Sequence, residues 1–183
     1  MKPLIIAIAL GAILAVGGCS GDVPLQTVQP VALTETAIGH YCGMVLLEHP
    51  GPKGQIILAG TPEPVWFSSV RDAVAFTMLP EEPKGIAAIY VSDMGVAPSW
   101  DEPGTENWIE ARQAFFVVGS AMRGGMGAEE AIPFSTETAA DDFVRENGGE
   151  VVGFPDIPRD YVLGTASAEE SKEPALHVGD MTH

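Results

Sequence analysis

The chain has 183 residues, 46% of them hydrophobic and 19% charged, and carries a formal net charge of −16. An acidic surface of this kind repels phosphate backbones, and no run of Lys and Arg is present to release their counterions, so nucleic acid is excluded as a partner. The length is enough to bury one good core or two small ones.

At the N-terminus Lys2 precedes an apolar stretch over residues 4–16, and Gly17 and Gly18 then lead into Cys19. A charged start, a short apolar run and small residues before a cysteine form a secretory signal with a lipoprotein cleavage box. The run falls well short of the roughly 20 apolar residues that cross a bilayer core, so removal is expected rather than retention. On this reading residues 1–18 are a lipoprotein signal peptide, Cys19 is the acylated first residue of the mature chain, and residues 19–34 form a flexible tether. An ordinary secreted chain or an uncleaved anchor is the alternative. Ser20 stands where an aspartate would argue for inner-membrane retention, which tilts the expected location to the outer membrane, on the periplasmic side of the envelope. Removal of residues 1–18 takes away Lys2 alone and leaves the mature chain one unit more negative. The far end, residues 165–183, reads as a disordered polar tail.

Between these ends the pattern predicts order. Strands are expected at residues 45–47 and 55–58. The apolar end Val65-Trp66-Phe67 then runs into Ser68, whose oxygen can cap a helix that ends before Pro80, and a strand follows over Ile86–Ser92. The order recurs further on. A strand is expected at Phe115–Val118, Ile132-Pro133-Phe134 runs into Ser135 and a helix ending at Asn147-Gly148, and a strand follows over residues 150–154. In both segments a Phe, Phe76 or Phe143, falls eight positions after the Ser. In the second helix Ala139, Ala140, Phe143 and Val144 share one face while Glu137, Asp141, Asp142 and Arg145 take the other, as a helix laid over a sheet requires. Strand, strand, helix, strand thus appears twice. The expected fold is α+β, with two small related ββαβ units at residues 35–97 and 98–164 joined near Pro98-Ser99-Trp100.

The chemistry gathers at Tyr41-Cys42-Gly43-Met44. With Cys19 acylated, Cys42 has no disulfide partner in its own chain, which leaves an inert core cysteine, a reactive thiol or a metal ligand. Met44 changes the balance. In an extended segment His40, Cys42 and Met44 point to one side, an alternation that Gly43 can break. Thiolate and thioether are soft donors suited to Cu(I), whereas zinc asks for more Cys or His. His49, before the rigid turn Pro50-Gly51-Pro52, is a further donor that the fold can bring near. Met126 lies in Arg123-Gly124-Gly125-Met126-Gly127, where the glycines expose it; the Gly-Lys-Ser/Thr ending of a phosphate cradle is absent. Met94 is a lesser candidate and Met78 and Met122 read as packing residues. His177, Met181 and His183 in the tail can at most scavenge metal loosely.

Five segments in order carry a family resemblance: Tyr41-Cys42-Gly43-Met44, the stretch from His49 to Gln55, the stretch from Trp66 to Asp72, Tyr90-Val91-Ser92-Asp93-Met94-Gly95, and Gly124-Gly125-Met126-Gly127-Ala128-Glu129. From about residue 38 to residue 162 the chain resembles NosL, the nitrous oxide reductase accessory lipoprotein family. The resemblance implies two related ββαβ units and a Cu(I) chaperone of the bacterial envelope. Such a chaperone hands copper toward the copper-sulfide centre of nitrous oxide reductase and docks on the periplasmic subunit of the Nos assembly ABC transporter. The family's Cys-x-Met motif falls on Cys42 and Met44, and its Gly-Gly-Met-Gly loop makes Met126 the third sulfur donor. His49 then becomes a fourth ligand or an outer group, and Trp66 a shield against water or an ordinary core aromatic. A two-sulfur motif can complete a site within one chain or bridge a symmetric homodimer.

Two rival classes stand beside the chaperone. A thiol-dependent enzyme would use Cys42 as nucleophile, since the family's ββαβ arrangement also resembles organomercurial lyase; that chemistry needs further thiols and a carboxylate. A structural lipoprotein without metal explains the anchor and the acidity but not an unpaired Cys beside Met. No Gly-x-Ser-x-Gly marks a serine hydrolase, and the expectation is a chain that is not an enzyme.

Overall fold

The computed structural model describes residues 28–164. Cys19, the signal segment 1–18, and the tail with His177, Met181 and His183 lie outside the described residues.

The chain alternates short strands and helices in the order β1 (Gly54–Leu58), β2 (Val65–Phe67), α1 (Val70–Met78), β3 (Ile86–Ser92), β4 (Trp108–Glu110), β5 (Phe115–Val118), β6 (Ile132–Phe134), α2 (Glu137–Asn147), β7 (Glu150–Gly153) and α3 (Arg159–Leu163). Two antiparallel sheets result, one ordered β2-β1-β3-β4 and the other β6-β5-β7. In both, the first strand of the unit is central and the strands on either side of the helix in sequence flank it. The expected α+β fold of two ββαβ units is what the structure contains, with β4 as an added edge strand beside β3.

Both helices begin one residue later than the sequence suggests. Ser69 caps α1 by accepting from Asp72 N at 3.4 Å, and Thr136 caps α2 by accepting from Ala139 N at 3.3 Å. Ser68 and Ser135, the expected caps, are engaged elsewhere: Ser68 faces Cys42, and Ser135 N donates to Asp93 Oδ1 at 3.1 Å. Gly148 stops α2 with φ of 73°, a conformation that costs glycine nothing.

Residues 45–47 are not a strand. Leu46–Glu48 form a 3-10 turn, and Val45 makes only an isolated bridge to Ile38. The reason is an occupied edge: Gly39 and His40 already lie along β2, with Gly39 bridging Trp66 and His40 N donating to Trp66 O at 2.7 Å, so the apolar run finds no ladder to join. At the other end β7 stops at Gly153 because Phe154–Asp156, with Pro155 inside it, forms a 3-10 helix. Residues 28–34, expected to belong to the tether, pack on the first sheet. The Gln55 side chain holds both Val31 N and Val31 O, and Leu33 is buried beside Ala37 and Leu46.

The two units share a core through β5. Phe116 and Val118 pack with Ile56, Phe67, Val74 and Ile89 of the first unit, while Val117 packs with Ile132, Phe134 and Ala140 of the second. Alternation along a strand buried on both faces produces this division. Pro133, which cannot donate a ladder bond, sits on edge strand β6, and its carbonyl accepts from Met94 N at 2.9 Å just beyond β3.

Helix α1 lies tightly on β1: a Cβ built on Gly54 would fall 2.7 Å from the Ala73 Cβ. Gly54→Ala is expected to lower stability by about 1–3 kcal/mol through overpacking, read as a lower urea midpoint by circular dichroism. An unchanged midpoint would show that α1 can move off the sheet at little cost.

Candidate metal centre

Cys42 and Met44 lie in one tight turn rather than on an extended segment. Gly43 N donates to Gly39 O at 2.8 Å, Gly39 N donates to Met44 O at 2.9 Å, and the Ile38–Val45 bridge closes the base. Two glycines make the turn possible for different reasons. Gly43 takes φ of 67°, in the left-handed region. Gly39 leaves room for sulfur, since a Cβ there would come within 2.5 Å of Cys42 Sγ.

The thiol of Cys42 is half-buried, with Sγ 3.4 Å from the hydroxyl of Ser68, itself buried at the entrance to α1. Cys42 is a free cysteine. Met44 is exposed at 36% of its surface. The turn therefore holds one sulfur against the body of the protein and leaves the other near solvent.

His40 does not share a side with them as alternation would require. Its Nε2 lies 3.4 Å from Glu82 Oε1, and its ring sits against Tyr41, Phe67 and Phe76. Tyr41 donates to the same Glu82 oxygen at 2.9 Å; burial and this carboxylate push its phenol pKa up. His40 and Tyr41 thus pin the turn to the segment that follows α1.

The second expected sulfur loop is closed by Gly124 N donating to Ala128 O at 2.9 Å, by Gly127 N donating to Gly124 O at 2.8 Å, and by an Arg123–Glu129 ion pair at 3.5 Å. Met126 stands at its tip, 52% exposed. The loop rests on the His49–Pro50 segment: a Cβ on Gly125 would lie 2.7 Å from both His49 Cβ and Pro50 O. That segment leads directly out of the 3-10 turn that starts at Leu46, and Leu46 in turn packs where Gly39 opens the Cys42 turn. His49 is held by its N–H to Leu46 O at 3.2 Å, and its Nε2 is buried with no hydrogen-bond partner.

The other sulfur and aromatic candidates pack. Met94 and Met122 lie against the Ile132–Phe134 cluster and Met78 against the main core. Trp66 packs its ring near Trp108 at 5.9 Å between centroids and against Leu33, Ala37 and Leu46, and contributes its backbone to the Cys42 turn.

Three residues at the site carried no sequence signal of their role. Ser68 is one. Lys53 is buried beneath the His49–Pro52 turn and donates from Nζ to Pro50 O at 3.1 Å and Gly51 O at 2.5 Å; burial pulls its pKa down to about 8, against the pull of Glu130. Glu130 is the third. It is fully buried, and its Oε1 accepts from Ser69 Oγ at 3.2 Å, Arg71 N at 2.8 Å and Ala131 N at 2.9 Å, while Oε2 has no hydrogen-bond partner. Burial, partly offset by those three bonds, pushes its pKa up to about 7.

Among the described residues no group of three His, Cys, Asp or Glu side chains is placed to hold a metal ion. A closed cage of the kind that structural zinc needs is therefore not formed there. The sulfur side chains of the two loops are the half-buried thiol of Cys42 and the exposed thioethers of Met44 and Met126, side-chain types that suit a soft ion.

The NosL family profile matches residues 30–162. The chain is 49% identical over 175 residues to the copper-binding lipoprotein NosL of Achromobacter cycloclastes, covering 95% of this chain and 88% of that protein. It is 33% identical over 164 residues to the copper-binding lipoprotein NosL of Stutzerimonas stutzeri, covering 87% and 84%. In three dimensions it resembles the crystal structure of the copper chaperone NosL from Shewanella denitrificans, with a TM-score of 0.67 at 37% identity over 72% of this chain and 96% of that one.

The raised pKa of Glu130 gives a pH dependence of definite sign. The folded chain keeps a proton there that the unfolded chain releases between about pH 4.5 and about pH 7. The stability linked to Glu130 is therefore full below about pH 4.5 and is lost as pH rises toward 7. Glu130→Gln removes the titration. Urea unfolding of both proteins at about pH 5 and about pH 8 is expected to show the parent losing stability relative to the variant as pH rises; a constant difference would show that Glu130 is ionised throughout.

Proposed function

The chain belongs to the NosL family, and we propose that it is a lipid-anchored copper chaperone of the periplasm that carries Cu(I) on Cys42, Met44 and Met126. The observation that carries this reading is the turn itself, which holds a free, half-buried thiol two residues from an exposed thioether. The curated relatives are named for copper binding, and their names as lipoproteins support acylation at Cys19.

Copper is the cargo, and the site's chemistry suits loading and release. The Cys42 sulfur binds as thiolate, giving its proton to solvent, and supplies the negatively charged donor that anchors the ion. Ser68 fixes the direction of that sulfur. Met44 and Met126 add neutral thioethers, which bind Cu(I) less tightly than thiolate and can be displaced one at a time by a receiving protein. His49 is the fourth candidate, its Nε2 being a buried nitrogen without a hydrogen-bond partner. Ile38, Tyr41, Met44 and Leu47, within five residues of Cys42 in sequence, are all exposed. We assign these apolar side chains to docking, first on the periplasmic subunit of the Nos assembly transporter, with delivery to the copper-sulfide centre of nitrous oxide reductase as the outcome. Burying them against a partner would remove water from the neighbourhood of the ion at the moment of transfer.

The enzyme reading asks for more than the site supplies. A thiol lyase needs further thiols, and the side-chain hydrogen bond of Cys42 Sγ is to the hydroxyl of Ser68. The carboxylate of Glu82 is taken up by His40 and Tyr41.

An anaerobic Cu(I) titration of residues 20–183 against a chromophoric chelator tests the site. Cys42→Ser is expected to abolish tight binding, and Met44→Ala and Met126→Ala each to weaken it by about tenfold, equivalent to about 1.4 kcal/mol. Undiminished binding by Cys42→Ser would overturn the assignment. Ser68→Ala removes a single side-chain partner from the thiol and is expected to weaken binding by about threefold, in line with a net hydrogen-bond contribution of about 0.5–1 kcal/mol. The same titration reads that loss.

A further inference from the structure

We propose that Glu130 is a positioning residue for copper: its side chain clamps the Met126 loop to the helix entrance that orients Cys42, and so sets the reach of the third sulfur donor. This inference rests on the chaperone reading of Cys42, Met44 and Met126.

The argument begins with helix α1. The first turn of any helix leaves backbone N–H groups without internal partners. Ser69 serves Asp72 N, the third of these positions, through its own oxygen. Arg71 N is served instead by Glu130 Oε1, from a residue 59 positions away in sequence. The Ser69 hydroxyl, while accepting from Asp72 N, donates to the same Glu130 oxygen. The helix entrance is thus capped jointly by its own serine and by a carboxyl group from the loop that follows Met126.

Each side of this clamp reaches one sulfur donor. On the helix side Ser68, the residue before the cap, lies 3.4 Å from Cys42 Sγ. On the loop side the backbone sits directly on the carboxyl group: a Cβ on Gly124 would fall 2.7 Å from Glu130 Oε2. A side chain there would have to displace the carboxyl group, and Gly124 is two residues from Met126. Neighbouring bonds brace the same strut. Arg71 extends its guanidinium to Glu129 O at 3.5 Å and to Val162 O at 2.9 Å, and Tyr161 donates to Glu130 O at 2.8 Å. Glu130 is buried with no access to water, so the carboxyl group is not free to swing to another partner.

The consequence is a coupling that can be measured. If Glu130 sets where Met126 stands, the contribution of Met126 to copper affinity must depend on Glu130. Cu(I) affinities of the chain over residues 20–183 are to be measured for Met126→Ala and Cys42→Ser in three backgrounds: unaltered Glu130, Glu130→Ala and Glu130→Gln. Glutamine keeps one acceptor oxygen for the three donors. With Glu130 present, Met126→Ala is expected to weaken binding about tenfold; with Glu130→Ala the same change is expected to weaken it less than about twofold; Glu130→Gln is expected to restore most of the difference. Cys42→Ser abolishes binding in every background. A general loss of stability would not remove the Met126 contribution selectively or restore it with glutamine. Should Glu130→Ala fail to fold, Glu130→Asp, shorter by one methylene but equally acidic, takes its place with the same expectation. An equal Met126 effect in all backgrounds overturns the clamp while leaving the chaperone reading intact. No Met126 effect even beside unaltered Glu130 removes Met126 from the donor set and overturns the inference with it.

Discussion

Ser69 Oγ, Arg71 N and Ala131 N converge on a single oxygen of Glu130, and the rest of the site is built outward from that convergence. A fully buried carboxyl group is costly to desolvate, and the hydrogen bonds to one of its oxygens are what make the position tenable. Two of the three donors belong to the entrance of α1 and the third to the chain just after Glu130. Because one end of the interaction is in the first ββαβ unit and the other in the second, it fixes loops that are far apart in sequence. Lys53, buried on the same flank and attracted electrostatically by Glu130, ties the His49–Pro52 turn to the same region.

The core carries the same logic in apolar form. Strand β5 gives Phe116 and Val118 to one cluster and Val117 to another, so neither unit has a core of its own that closes without it. The segment after β3 then grips the exit of β6: Met94 N bonds Pro133 O, and Asp93 Oδ1 accepts from both Gly95 N and Ser135 N. Repeated topology here makes a fused body rather than two beads. That rigidity fixes the separation of the Cys42 turn and the Met126 loop, which is set by the scaffold and not by either loop alone.

Within this frame the two sulfurs of the Cys-x-Met motif play unequal parts. Cys42 is held inward by the tight turn and by Ser68, whereas Met44 remains near solvent. A carrier must keep its ion and also surrender it. On the proposed donor set, a half-buried sulfur at Cys42 favours retention, and the exposed thioethers offer a route by which an incoming ligand can displace them.

The repeated strand, strand, helix, strand order was legible because apolar periodicity reports which face of a strand or helix is buried. The pair Cys42 and Met44 stood out because both sulfur side chains fall within the run Tyr41-Cys42-Gly43-Met44, and the structure places them in one tight turn. What failed was local geometry that depends on distant partners. Residues 45–47 are apolar enough for a strand, but the edge of β2 they would need is taken by Gly39 and His40. Ser68 reads as a helix cap, yet Ser69 holds that post and Ser68 turns to the thiol. Glu130 follows another glutamate in a glycine-rich stretch and gives no sign of burial; only folding brings it under Gly124 and against α1, 59 positions from Arg71. The sequence by itself thus determined the class of fold and the kind of ion the donors suit, since both follow from residue types and short spacings. The tertiary structure alone decided how the donors are presented and what holds them, because a buried polar group finds its partners only where the packed chain leaves them.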